Sequence, residues 1–201
     1  LHSTSRRQRQ MCIRDSHQDR SAYFEETATS CRNYYLPYIE QHTSLKFGRK
    51  CRVMEVGCGI GGILSIFAAM GATVTGIDIH KPSIETAKTL FAERGLKGTF
   101  ICSDIFDYSD TQPYDLIILH DALEHIPEKE RLMLHLKSFL KADGLLYLGF
   151  PAWQMPFGGH QQMAKNRIIA NCPYIHLLPR PLFRFVFRAC CLLYTSDAAD
   201  D

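Results

Sequence analysis

No stretch of this 201-residue chain reaches the roughly 18 to 20 consecutive apolar residues of a membrane-spanning helix, so stable membrane insertion is not expected. Charges near the N-terminus have no apolar segment behind them and do not read as a secretory signal. An excess of one charge is lacking too. With 23 basic against 21 acidic side chains and a formal net charge of +2, neither nucleic acid nor an anionic membrane is expected as an obligate partner. Among the eight cysteines no two are spaced C-x-x-C, and several fall inside apolar runs. Reduced, buried thiols of a cytoplasmic protein are expected rather than disulfides or zinc. Internal repeats and low-complexity segments are absent. What is present is a globular composition, 46% hydrophobic and 22% charged, on a chain long enough for one domain with a core.

Both ends stand apart from the rest. Arg9-Gln10-Met11-Cys12-Ile13-Arg14-Asp15-Ser16 and the tail from Cys191 to Asp201 resemble translated sequencing-adapter read-through. Residues 1–16 and 190–201 are therefore set outside the fold, leaving 17–189 as a single domain.

Within that domain, Ser21 to Gln41 is polar with interspersed aromatics and predicts one or two helices, broken near Pro37. Beyond Lys50 the periodicity alternates. Cys51–Val56, Thr73–Ile77, Thr99–Cys102, Tyr114–Leu119 and Leu145–Phe150 predict five strands. Ile60, Ile63, Leu64 and Phe67 fall at helical spacing, and Gly71 closes that helix. Lys81-Pro82-Ser83 opens a second helix, ended by Gly95. Pro127 and Glu128 open a third, carrying Leu132, Leu136, Phe139 and Leu140 and closed by Gly144. Strands alternating with helices this regularly predict a Rossmann-like, doubly wound α/β fold, a mostly parallel sheet flanked by helices. From Pro151 the pattern dissolves, and Phe183–Arg188 fits a strand or a helix turn equally.

In such a sheet the ligand binds outside the carboxyl ends of the strands. The loop after the first strand reads Glu55-Val56-Gly57-Cys58-Gly59-Ile60-Gly61-Gly62. Glycines there allow a sharp turn and let a ligand approach the backbone, while the next helix offers unpaired N–H groups. Gly57, Gly59 and Gly62 satisfy the dinucleotide fingerprint literally, and Asp78 follows about 20 residues on, so the loop alone leaves the cofactor open.

Taken with three further features, the region from about His17 to Trp153 resembles a class I S-adenosylmethionine-dependent methyltransferase. The first is the acid Glu55 ahead of Gly57, Gly59 and Gly61. The second is Asp104, in Ile101-Cys102-Ser103-Asp104-Ile105-Phe106. The third is the strand Tyr114 to Leu119 followed by His120-Asp121-Ala122-Leu123-Glu124-His125, similar to quinone-biosynthesis methyltransferases. The resemblance implies S-adenosylmethionine as cofactor. Glu55 would face its methionyl amino group, and Gly57, Cys58, Gly59 and Gly61 would give backbone access. Asp78, with Ile79 beside it, would accept from the ribose hydroxyls. Asp104 would take the adenine amino group with Ile105 against the ring, and the main chain of His120 would meet the methionyl end.

It further implies N-terminal helices at 21–50, a cofactor core at 51–150 and an acceptor lid at 151–189, with the chain stopping after the fifth strand. Tyr34, Tyr35, Trp153, Met155, Phe157 and His160 suit a flat or apolar small-molecule acceptor. An oxygen acceptor must lose a proton, and His125 and His160 are the candidate bases. Asp121, Glu124 and His125 are arranged as in some quinone O-methyltransferases that use a divalent ion, but adjacency alone establishes no site, and no metal is assigned. The reading is thus methyl transfer to O, N or C of a small acceptor. An NAD(P)-dependent oxidoreductase and a non-catalytic cofactor-binding module are the alternatives.

Overall fold

A computed structural model describes residues 20–150, 154–156 and 171–182. The chain divides into two units after Phe150, and the described sheet lies in the first. Five strands, β1 (Arg52–Val56), β2 (Thr73–Asp78), β3 (Thr99–Cys102), β4 (Tyr114–His120) and β5 (Leu140–Gly149), pair in the order β3-β2-β1-β4-β5, all parallel. The order reverses between β1 and β4, and ligands of open α/β sheets bind outside the strand ends at such a switch point. This is the expected doubly wound architecture. His160, Trp153, Phe157 and the Phe183–Arg188 segment lie outside the described residues. In the second unit Met155 is half exposed, and a short 3-10 turn spans Ile175–Leu177.

Helix α1 (Arg20–Ser30) leads through a π-turn (Cys31–Tyr35) directly into α2 (Leu36–His42). The expected break at Pro37 does not occur. Proline has no N–H to donate and crowds the carbonyl a turn earlier. Here the turn before it is already widened, with the Leu36 N–H reaching back to the Cys31 carbonyl, and Pro37 falls in the first turn of α2.

Helices α3 (Gly62–Ala69), α4 (Lys81–Glu93) and α5 (Lys129–Ser138) are the crossovers. Ile60 belongs to the loop ahead of α3 but is buried all the same. The end of α5 differs from the expectation. That helix stops at Ser138, and Leu140 already pairs with Tyr114, while Leu145 pairs with Leu116. The residues between them form a bulge that the apolar pattern conceals. Gly144 does not close a helix. A side chain at Gly144 would sit 2.9 Å from the Tyr114 carbonyl and 2.9 Å from the Lys141 nitrogen, so it is needed for close approach.

Alternation along each strand divides the core in two. Val53, Val74, Leu116 and Ile118 face one side with Phe24 of α1, Phe67 of α3 and Phe91 of α4. Met54, Val56, Ile77, Ile117 and Leu119 face the other with Leu132 and Leu136 of α5. By the same alternation Glu55, Asp78 and His120 share the first side, under α1 and the π-turn.

At the opposite end of the sheet, Asp110 gathers Arg52 Nη2 at 2.9 Å, the Tyr114 hydroxyl at 2.7 Å, the Tyr108 hydroxyl at 3.1 Å and the Gln112 N–H at 2.9 Å. Burial alone would raise its carboxyl, but these donors together hold it well below the ordinary carboxylate range. The cluster clamps the entry of β4 to the start of β1. A cavity of about 810 Å³ lies at this same end, lined by Lys46, Arg49, Lys141 and Asp143 among others, away from the glycine loop.

Candidate functional site

The glycine loop leaves β1 and crosses the end of β2, with the N–H groups of Gly57 and Cys58 donating to the Ile77 carbonyl at 2.8 and 3.2 Å. Gly57, Gly59 and Gly61 have φ of 76°, 53° and 84°, the left-handed region that glycine enters without strain. A side chain at Gly59 would meet nothing within 4 Å, so the space above that backbone is open. Gly61 caps α3 with no side-chain acceptor on the helix N-terminus.

Asp78, 3% exposed at the end of β2, anchors this loop. Its Oδ2 accepts from the Gly59 N–H at 2.9 Å, and its Oδ1 from the His80 N–H at 2.9 Å. Ile79 follows in the turn, and the Cys102 thiol lies 3.7 Å from its carbonyl. Gly76, two residues earlier, is held against Cys58. A side chain there would come within 2.7 Å of Cys58 Sγ and 2.8 Å of Phe100. A lone glycine in a β-branched run was the sequence signal for this contact.

Glu55 is 3% exposed, and its Oε2 has no hydrogen-bond partner. Burial, and secondarily the charge of Asp78, push its carboxyl well above the ordinary value of 4.5. The folded chain therefore binds this proton more tightly than the unfolded chain. The associated stability is full below the unfolded value and is lost as pH rises through the raised folded value. The expected result is that Glu55→Gln melts with the parent near pH 4 and becomes the more stable of the two as pH climbs. Parallel melting curves from pH 4 to 8 would refute this account of Glu55.

The remaining residues are placed as follows. Asp104 caps the 3-10 turn Ile105–Asp107, its Oδ1 accepting from the Phe106 N–H at 3.1 Å. Ile105 is 4% exposed and belongs to the α5-side core, its carbonyl 2.9 Å from His135 Nε2. His120 ends β4, its ring 4.7 Å from that of Tyr35. Tyr34, expected with it near an acceptor, is 69% exposed. His125 lies in the 3-10 turn Leu123–His125, with Nε2 3.8 Å from Glu124 Oε1. Among the described residues no three His, Cys, Asp or Glu side chains are grouped to hold a metal ion. No described helix is long and apolar enough to cross a membrane. Five described cysteines are free thiols, of which Cys31, Cys51 and Cys58 are buried and Cys102 is exposed.

The glycine loop, Asp78 and Glu55 thus gather at one switch point: an open backbone cradle, a buried carboxylate that anchors it and a buried acid with an unpartnered oxygen. A parallel sheet of this order with that loop defines a Rossmann-like domain built to hold a nucleoside cofactor. The chain belongs to the methyltransferase-domain family, which it matches over residues 48–190. It is 39% identical over 119 residues to the ubiquinone biosynthesis O-methyltransferase of Actinobacillus pleuropneumoniae, covering 56% of this chain and 50% of that one. The corresponding protein of Coxiella burnetii is 38% identical over 114 residues, covering 56% and 47%. The chain therefore spans about half the length of the curated relatives it matches. Among solved structures, an S-adenosylmethionine-dependent methyltransferase from Clostridium acetobutylicum superposes with a TM-score of 0.55 at 18% identity, over 71% of this chain and 55% of that one. The plantazolicin methyltransferase BpumL, solved with SAH, gives 0.54 at 21% identity, over 71% and 51%. These two likenesses concern the fold.

Proposed function

We propose that this chain binds S-adenosylmethionine and transfers its methyl group to an oxygen of a small-molecule acceptor. The observation that carries the reading is Glu55, a buried carboxylate with an unpartnered oxygen beside the glycine loop. Leaving such a group unpaired costs several kcal/mol, about 2 or more, and a cationic ligand removes that cost. The methionyl ammonium supplies the cation, and the ribose diol supplies donors for Asp78. Asp104, with Oδ1 on Phe106, keeps Oδ2 for the adenine amino group. Oxygen as the acceptor atom rests on the relatives named as O-methyltransferases.

When bound, the cofactor supplies a methyl group made electrophilic by its sulfonium. The protein's part is alignment and water exclusion, which can account for about 7 kcal/mol or more of a barrier. Glu55 orients the amino-acid end, Asp78 fixes the ribose, and the loop backbone sets the depth of the ligand in the crevice.

Calorimetric titration of the full chain with S-adenosylhomocysteine and, separately, NADH tests the reading. Micromolar binding of the first and none of the second is expected. Binding of NADH would move the chain to the oxidoreductases. A folded chain that binds neither would overturn the cofactor assignment.

A further inference from the structure

Three contacts fix the His120 ring on the face of β4 that it shares with Glu55. Tyr35, from the π-turn, lies over it with ring centroids 4.7 Å apart and planes tilted by 33°. Gly149, its partner across β5, makes room for it, since a side chain there would come within 2.5 Å of His120 Cδ2. On the third side Nδ1 lies 3.3 Å from Asp121 Oδ2. Asp121 holds that position at φ 49°, a left-handed conformation unusual for a residue other than glycine. The His120 side chain is 23% exposed, and its Nε2 makes no hydrogen bond among the described residues. Among the other described histidines, His135 Nε2 is engaged by the Ile105 carbonyl, His80 Nδ1 by Ser83 and His42 Nδ1 by the Tyr38 carbonyl, while His125 Nε2 lies farther from its acid, 3.8 Å from Glu124 Oε1. An acid at one ring nitrogen with the other nitrogen open is the arrangement of an oriented general base.

We propose that His120, oriented by Asp121, is the catalytic base that deprotonates the acceptor hydroxyl. The inference rests on the methyl-transfer reading and adds a residue that reading does not need. Nδ1 keeps its proton toward Asp121, and the Nε2 lone pair takes the acceptor proton. The O–H pair stays on oxygen, the O–CH3 bond forms, and the C–S bond breaks with its electrons leaving on sulfur. The imidazolium then returns its proton to water. The cofactor groups occupy the β1–β2 side of the switch point, which leaves the β4–β5 side, where His120 stands, to the acceptor. The titratable groups around the ring are Asp121 on its own loop and Tyr35 from the π-turn. Burial first, then the charges of Tyr147 of β5, Asp121, Cys31 and Glu55, raise the Tyr35 hydroxyl, and burial, then those of Glu55, Asp121, Glu26 and Asp78, raise that of Tyr23 of α1.

Long-range 1H–15N correlation on the histidine-labelled full chain tests the pair without any acceptor. The Nδ1–H tautomer is expected at His120, identified by its loss in His120→Gln, and should give way to Nε2–H in Asp121→Ala. Finding Nε2–H in the parent overturns the proposal. With catechol as the phenolic probe, His120→Gln should lower kcat by roughly 100-fold or more and remove the acidic limb of kcat against pH. Its S-adenosylhomocysteine affinity should stay within about threefold, because the cofactor contact expected of His120 runs through its main chain, which the substitution keeps. Retention of both kcat and the acidic limb also overturns it. If the parent shows the expected tautomer but binds no S-adenosylhomocysteine, the methyl-transfer reading fails and takes this role with it, the ring pair remaining as a structural fact.

Discussion

Asp78→Ala should raise the dissociation constant for S-adenosylhomocysteine by about 100-fold while the chain still unfolds cooperatively. The carboxylate is 3% exposed and reaches the Gly59 N–H and the His80 N–H, each at 2.9 Å. Its removal acts twice. On the proposed reading two ribose hydroxyls lose a charged acceptor, and each such hydrogen bond is worth about 1.5 kcal/mol or more, so the pair sums to roughly 3 kcal/mol, a factor of about 100. The loop also loses the anchor that holds Gly59 in place, which costs the pre-organisation of the cradle. Partly offsetting this in the free protein, Glu55 no longer feels the Asp78 charge. Calorimetry on parent and variant checks the affinity, and a thermal melt checks the fold. Unchanged affinity in Asp78→Ala would remove the ribose role and leave Asp78 as a loop anchor alone.

Gly62→Ala should destabilise the chain by about 3 kcal/mol, near the upper end of ordinary overpacking. For a chain of this size that lowers Tm by roughly 10 °C. The first turn of α3 lies against α1 so closely that a methyl group would run into Thr27 Oγ1 and sit 2.6 Å from the Phe24 carbonyl. Thr27 can turn away, but the Phe24 carbonyl is backbone and cannot. Adding Thr27→Ala should therefore recover only part of the loss, a coupling that a double-mutant cycle measures. Gly59→Ala is the contrast. Its new methyl meets nothing within 4 Å, so only the strain at φ 53° is incurred, about 1 to 2 kcal/mol. Equal melting shifts for the two variants would mean that α1 does not pack on α3 as described.

How much of this was legible beforehand depends on whether the signal was local. The strands β1 to β4 are apolar runs bounded by glycine or polar turns, and their alternation with helices specifies a parallel sheet. The glycine loop and Asp78 were readable because turn chemistry and strand ends leave marks at fixed spacing. Pro37 misled because a π-turn, which has no compositional mark, accommodates it. Gly144 misled because a glycine after an apolar helical stretch looks like a stop, whereas its neighbour is the Tyr114 carbonyl of another strand. His120 was expected only as a main-chain contact; nothing in its sequence neighbourhood announces Tyr35 above it or Gly149 beside it.

The sequence by itself determined the fold class, the position of the switch point and the identity of the loop that crosses it, because periodicity and turn residues act over a few positions. Tertiary structure alone decided which side of the sheet Glu55, Asp78 and His120 share, how deeply Glu55 is buried, and that Tyr35, Gly149 and Asp121 surround the His120 ring. Those are properties of residues brought together from α1, the π-turn, β1, β2, β4 and β5. Burial and charge proximity depend on distance in space, which the chain sets only when it packs.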